Sequence, residues 1–494
     1  MRYVLAVDIG TTSSKALLVN PQGQVFASAQ QAYSTHYPRA GFAEQTPNDI
    51  LEAVKKIVTE AASHQTSQIG AISFSCAMHS LMAVDQQAVP LTSLMIWADT
   101  RSSEEAQQLR HRESGKVLHN ETGTPVHPMS PLPKLMWLKG HQAEVFNRAA
   151  RFISIKEWIV YQFTGQWLVD YSIASATGLF DIQKMSWHAE ALRLAGIDTS
   201  RLSTLVSPYH QVPILPEYLQ QWGLPAHTKM VMGGNDGCLA NLGSGAMHKG
   251  QLALTVGTSG AVRMAVSRYA PDPQQRLFNY RLDEQTFIVG GATNNGLVLL
   301  EWFQKLMGQA QPWSVDQFAL EGLRAEAGAG GLVFLPFVFG ERSPLYNPDQ
   351  RGVFIGLAEH HRPHHLMRAL MEGICFELRW LMQCVEEVCA PVENILASGG
   401  FTRSPAWMQL MADVLNRPLT LRDVNDASAL GAAAMGFQSL GVPFRIGNEA
   451  HTKVFHPKPE NRALYDELFQ LFVRSTQALN SDFAILARIQ KSAR

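Results

Sequence analysis

Three short segments of this sequence place glycine beside a hydroxyl-bearing residue or a second glycine: Gly10-Thr11-Thr12, Gly257-Thr258-Ser259 and Gly399-Gly400. Backbone N–H groups at a sharp turn point into one concavity and bind anionic oxygens, and glycine lets a phosphate come close. Threonine hydroxyls add donors. A single tip of this kind is an ordinary hairpin turn, but the set of three suits a nucleotide polyphosphate. Asp8 ends the first apolar run; when ionised it only accepts, which suits a Mg2+ ion that keeps several of its waters. A Walker A lysine motif and a GxGxxG are both missing, so P-loop and Rossmann sites are excluded.

Two further segments carry candidate chemistry. Gly233-Gly234-Asn235-Asp236-Gly237 follows the apolar run Met230-Val231-Met232. A carboxylate at a strand tip, flanked by glycines, is readily approached by a small ligand. Asp236 therefore reads either as a general base toward a substrate hydroxyl or as part of an Asx-type turn. Trp97, Asp99 and Arg101 set an aromatic face beside paired polar groups, which suits a polyol. The same spacing also fits a plain Asp–Arg ion pair.

Elements that position these residues are legible around them. Tyr3 to Val7 is an apolar strand, Ala16 to Val19 returns from the first tip, and a third strand begins at Gln24. A helix follows, with Thr46 as N-cap, Pro47 at its first position and Leu51, Val54, Ile57, Val58 and Ala61 on one face. Ala71 to Ser75 is a buried strand that ends near Met78-His79. Leu252 to Val256, the second tip, and Ala261 to Met264 repeat the opening near mid-chain. The repeat predicts two similar α/β domains, residues 1–245 and 246–494. Later signals are a long buried helix from Leu366 to Val388, a strand Ile395 to Ser398, and a helix opened by Ser404-Pro405. Ala429 to Gly436 reads as a helix of small residues suited to close backbone approach.

A chain of 494 residues exceeds one core. With 46% hydrophobic and 17% charged residues and a net charge of -1, it has the make-up of a globular enzyme. No basic run exists to hold nucleic acid or an anionic membrane, so neither partner is expected. No secretory signal or membrane-spanning run is read, and a cytoplasmic location is expected. The five scattered cysteines read as buried thiols. The run His360-His361-Arg362-Pro363-His364-His365 abuts a helix start, which disfavours a structural zinc site.

Taken together and in order, these segments resemble the FGGY carbohydrate kinases. The likeness runs through Asp8 to Lys15, Met78-His79, Trp97-x-Asp99-x-Arg101, Met129-x-Pro131-x-x-Lys134-Leu135-x-Trp137, Gly234 to Gly237 and Gly257 to Gly260. It continues through Pro336 to Pro344, Gly352 to Glu372 and Gly399 to Ser404. Gly140 and Leu370 depart slightly from the family's two signatures. The resemblance implies two ribonuclease-H-like domains of the actin and hexokinase type around a central cleft, residues 1–245 binding sugar and 246–494 binding ATP. It implies Asp236 as catalytic base, Met78, His79, Asp99 and Arg101 in the sugar site, and Asp8 serving Mg2+. It further implies Gly10, Thr11, Thr12 and Lys15, then Gly257 and Thr258, and finally Gly399, Gly400 and Ser404, as phosphate or nucleoside contacts.

Ser75 to Ser80, Thr122 to Met129, Ile155-Lys156-Glu157 and Tyr171 to Gly178 resemble the corresponding segments of gluconate kinases. That implies a sugar acid as substrate, whose carboxylate needs a cation; Arg101, Lys156 and protonated His127 are all open as its source. Lys156 also reads as a structural lysine. Pentulose kinases share the core motifs, and a non-catalytic sugar sensor on the same fold is the rival of another class. A homodimer is allowed by the sequence, which carries no signal for its oligomeric state.

Overall fold

The computed structural model describes residues 3–308, 312–422, 426–446 and 452–492. They form two compact units. The first comprises Met1–Gly245, Val266–Ile288 and Val424–Asn448; the second comprises Ala246–Ala265, Val289–Asp423 and Glu449–Arg494.

The first unit is built on β1 (Tyr3–Ile9), β2 (Ser13–Val19), β3 (Val25–Ala32), β4 (Ile69–Cys76), β5 (Gln211–Pro213) and β6 (Lys229–Asn235). Their order across the sheet is β5-β6-β4-β1-β2-β3. β1 pairs antiparallel with β2 and parallel with β4, and β4 pairs parallel with β6. Alternation along β1 divides the core. Leu5, Val7 and Ile9 join Ile50, Val54 and Ile57 of the helix Pro47–Ala62. The other face of β1 carries Val4, Ala6 and Asp8, and it meets the helix Ala427–Ser439.

In the second unit, β7 (Gln251–Val256), β8 (Gly260–Val266), β9 (Phe287–Thr293), β10 (Asn394–Ser398), β11 (Leu419–Leu421) and β12 (Lys453–Phe455) lie in the order β9-β8-β7-β10-β11-β12. β7 pairs antiparallel with β8 and parallel with β10. The two sheets therefore repeat one plan, in which a hairpin is flanked on its first strand by a parallel strand. The helix expected from Leu366 runs Pro363–Val388, with Pro363 at its first turn.

The second unit is not the unbroken run from 246 to 494 that the repeat predicts. Residues 266–288 are tied into the first unit: Asn279 N donates to Gly123 O at 2.8 Å, Arg281 N to Ser175 Oγ at 3.0 Å, and His119 Nε2 meets Leu277 O at 2.8 Å. The small-residue helix also returns there, for a steric reason. A Cβ on Gly243 would lie 1.8 Å from Ala427 O, one on Gly431 2.1 Å from Leu239 O, and one on Gly436 2.7 Å from Val4. Only glycine allows the helix Ala427–Ser439 to sit this close to the helix Asp236–Gly243 and to β1. Gly243→Ala should cost about 1–3 kcal/mol, read as a lower urea midpoint at unchanged slope. An unchanged midpoint would mean the two helices do not meet this closely.

Candidate active site

Register across the first sheet brings the carboxyl ends of three parallel strands level. Asp8 pairs with Ser75, which pairs with Gly234; Ile9 pairs with Cys76, which pairs with Asn235. Ligands of α/β sheets bind at this edge. Asp8 and Asp236 thus come from distant parts of the chain to the same rim.

Asp236 is half-buried and begins the helix Asp236–Gly243, so the Asx reading of this segment resolves into a helix cap. Asn235 is the N-cap, its Oδ1 accepting from Cys238 N at 2.8 Å. Its Nδ2 donates to Ser172 O at 3.0 Å and Ser172 Oγ at 2.9 Å, and its own N–H reaches Ser172 Oγ at 3.0 Å. Gly233, at φ +65°, is required here: a Cβ would lie 1.9 Å from Phe74 O. The backbone carrying Asp236 is thereby fixed on both sides.

Asp8 Oδ2 accepts from Ser428 Oγ at 2.7 Å, while its buried Oδ1 has no hydrogen-bond partner. Burial pushes this carboxyl above its usual range, against the hydroxyl of Ser428 and the charge of Lys15. An orphaned oxygen on a carboxylate at the sheet rim fits a hydrated cation. Lys15 Nζ donates to both oxygens of Asp426 at 2.7 Å, so its charge is shared with a carboxylate beside Asp8. At the first tip, Gly10 N donates to Ser13 O at 3.0 Å, and Trp97 Nε1 donates to Thr11 Oγ1 at 2.9 Å. Thr12 is exposed on the same turn.

The sugar-site candidates divide. Met78 and Trp97 are half-buried and line one pocket with Gly10 and Thr11. His79 adopts φ +69°, with Nδ1 2.7 Å from Ala176 O and Nε2 3.3 Å from Tyr280 OH. Donation from Nδ1 to the carbonyl leaves Nε2 as the acceptor of the tyrosine proton. His127 is half-buried, and its Nδ1 accepts from Met129 N at 3.2 Å, which places the ring proton on Nε2.

Asp99, Arg101 and Lys156 stand behind these groups. Asp99 is 0% exposed and accepts from Arg101 Nε at 2.9 Å, Arg101 NH2 at 2.7 Å and Ala43 N at 2.7 Å. Arg101 also reaches Glu44 at 2.6 Å and stacks 3.8 Å from the Phe42 ring centre. Lys156, 1% exposed, pairs with Asp170 at 2.7 Å beneath Gly234. The ion-pair and structural readings open at the sequence level thus describe the geometry of these three residues, which brace the site from within.

The second unit presents its own tips. Gly257 N donates to Ser259 O at 2.9 Å, with Thr258 exposed at the turn. Thr255 and Ser398, paired in register, share a 2.9 Å hydroxyl contact. Gly399 follows at φ +96°, where a Cβ would lie 2.4 Å from Val256 O, and Gly400 opens a short 3-10 turn. Ser404 is fully buried, and its Oγ accepts from Trp407 N as the cap of the helix Pro405–Leu415. Its hydroxyl is used inside the fold, away from any ligand surface.

Family comparison agrees with this arrangement. Residues 3–243 match the model of the FGGY family of carbohydrate kinases, N-terminal domain, and residues 252–440 match its C-terminal domain. The chain is an FGGY carbohydrate kinase. The kinase is 36% identical to a gluconokinase of Bacillus licheniformis, over 99% of this chain and 98% of that one. Two solved structures from Lactobacillus acidophilus match it with TM-scores of 0.94 and 32% identity. One is a ligand-bound xylulose kinase, covering 98% of this chain and 100% of its own; the other is a gluconate kinase, covering 98% and 99%.

Several residues around the candidate site carry no local sequence signal. Ser428 and Asp426 reach the Asp8 cluster from more than 400 positions away, and Ser172 and Tyr280 reach Asn235 and His79 only through the fold. The Met129 to Trp137 signature held a clue to Lys134, but not to its contacts. Among the described residues no group of three or more His, Cys, Asp or Glu side chains is arranged to hold a metal, and the His360–His365 run is no exception. No helix among them is long and apolar enough to cross a membrane.

Proposed function

We propose that this kinase transfers the γ-phosphoryl group of ATP to a hydroxyl of a sugar acid, D-gluconate, giving 6-phospho-D-gluconate. The observation that carries the catalytic reading is the rigidly held Asp236 just past the carboxyl rim of the sheet, two residues beyond Gly234, which is level with Asp8. Asp236 takes the proton of the attacking hydroxyl as that oxygen bonds to phosphorus and the bond to the ADP oxygen breaks. Asp8, through its Oδ1, is the proposed holder of a hydrated Mg2+, which when bound neutralises charge on the phosphates. Gly10, Thr11 and Thr12, with Gly257, Thr258, Gly399 and Gly400, are the proposed phosphate and nucleoside contacts.

The choice of gluconate rests on relatedness to gluconokinase along nearly the whole chain. A pentulose such as xylulose is the second reading, favoured by the equal likeness to a xylulose kinase structure. His127 is proposed to contact the substrate carboxylate as a neutral donor from Nε2, because its Nδ1 accepts from Met129 N and so carries no proton; Arg101 and Lys156 hold their charges in ion pairs. A coupled assay across gluconate, xylulose, ribulose and glycerol should give the highest kcat/KM for gluconate. A higher value for xylulose would overturn the sugar-acid reading and leave the kinase intact.

A further inference from the structure

Lys134 lies on the helix Pro131–His141 and is fully buried. Its Nζ donates to His79 O and to Ile96 O, both at 2.8 Å, and it makes no ion pair among the described residues. Burying an ammonium on two neutral carbonyls is costly, and a methionine would fill the same volume without that cost. The two carbonyls belong to the two loops that carry Met78 and His79 on one side and Trp97, Asp99 and Arg101 on the other. His79 is also held in a left-handed conformation, with its ring fixed by Ala176 and Tyr280.

We infer that Lys134 is a positioning residue whose ammonium clamps these two loops together and so sets the geometry of the sugar site. The inference rests on the proposal that these loops bind the sugar. Asp99 and Arg101 face the amine from one loop, Glu44 stands behind Arg101, and the His79 ring lies on the other loop. Burial pulls the Lys134 pKa down to about 7, with Asp99 opposing the shift and Arg101 adding to it.

The pH dependence of the clamp follows from the burial of its amine. The folded pKa lies below the unfolded value of 10.5. The charge therefore costs stability most fully below about pH 7, and that cost fades as pH rises toward 10.5. The same linkage governs the loops: an opening that returns the ammonium to water restores its ordinary pKa and takes up a proton, so it is disfavoured as pH rises. Across pH 6 to 8 the two clamped loops should therefore tighten.

Hydrogen exchange on the wild-type kinase at pH 6 and 8, corrected for intrinsic rates, should show protection rising at residues 77–80 and 96–101 more than in the strands. Lys134→Met should raise KM for gluconate about tenfold while KM for ATP stays within about twofold. Lys134→Gln, which keeps two N–H donors, should recover part of that loss. Unchanged loop protection, or a folded Lys134→Met enzyme with wild-type KM for its sugar, would overturn the inference. If Lys134→Met does not fold, the exchange experiment on the wild type decides. If wild-type enzyme ignores gluconate, the substrate reading fails instead, and the KM comparison passes to the sugar it does phosphorylate.

Discussion

Asp236→Asn should lower kcat by about 10²–10⁴-fold, the usual contribution of a positioned general base. Asparagine keeps the oxygen that accepts from Gly237 N at 2.8 Å, so the start of the helix Asp236–Gly243 should survive. Asn235 and its three contacts with Ser172 are untouched by the change. Sugar affinity, read by calorimetry, and the melting temperature should both stay close to wild type. The loss should then appear in kcat and kcat/KM alike, as for a group that acts only in the transition state. A variant that retained most of its turnover would show that the hydroxyl proton leaves by another route.

Arg101→Ala should destabilise the fold by about 3–5 kcal/mol, the cost of breaking a buried pair from one side. Asp99 is 0% exposed and Arg101 only 4% exposed at its side chain. Removing the guanidinium leaves the Asp99 charge in the core with backbone N–H groups of Ala43 and residue 101 as its partners. It also takes the stacked cation off the Phe42 ring and away from Trp137, 5.1 Å from its centroid. Changing Asp99 to Asn in the same chain should recover part of the loss, because the stranded charge goes with it. Urea unfolding measures both. KM for the sugar should rise as well, since Trp97 shares the loop. An Arg101→Ala variant as stable as wild type would mean that the pair is solvated and free to meet a ligand.

Much of this is legible in the sequence itself, and the divide has physical causes. Strand, tip and returning strand follow from local alternation and turn chemistry, so both hairpins stand where the residues say. Pro47, Pro363 and Ser404-Pro405 mark helix starts through φ restriction and capping, which are also local. What spacing does not convey is which way a charged side chain faces. Asp99, Arg101 and Lys156 share segments with ligand-facing candidates, yet each is turned inward by a partner distant in sequence, such as Glu44 or Asp170. Ser404 marks a helix start on sequence grounds, and that local duty is where its hydroxyl goes. For the helix Ala427–Ser439, composition revealed a close-packing face; it did not reveal that the partner would be Gly243 and β1.

That returning helix also orders events during synthesis. The strands of the first sheet are complete once Asn235 has been made, but the helix that covers one face of β1 begins only at Ala427. At 5–20 residues per second, the ribosome needs roughly 10–40 s to travel from Gly243 to Ala427. For that interval the nascent sheet shows water an apolar face, including Val4 and Ala6, that nothing of its own yet covers. The second unit's long helix, Pro363–Val388, is finished before that cover arrives. The amino-terminal half is therefore translated first and sealed late, and its exposure to chaperones or to neighbouring chains lasts for roughly a third of translation.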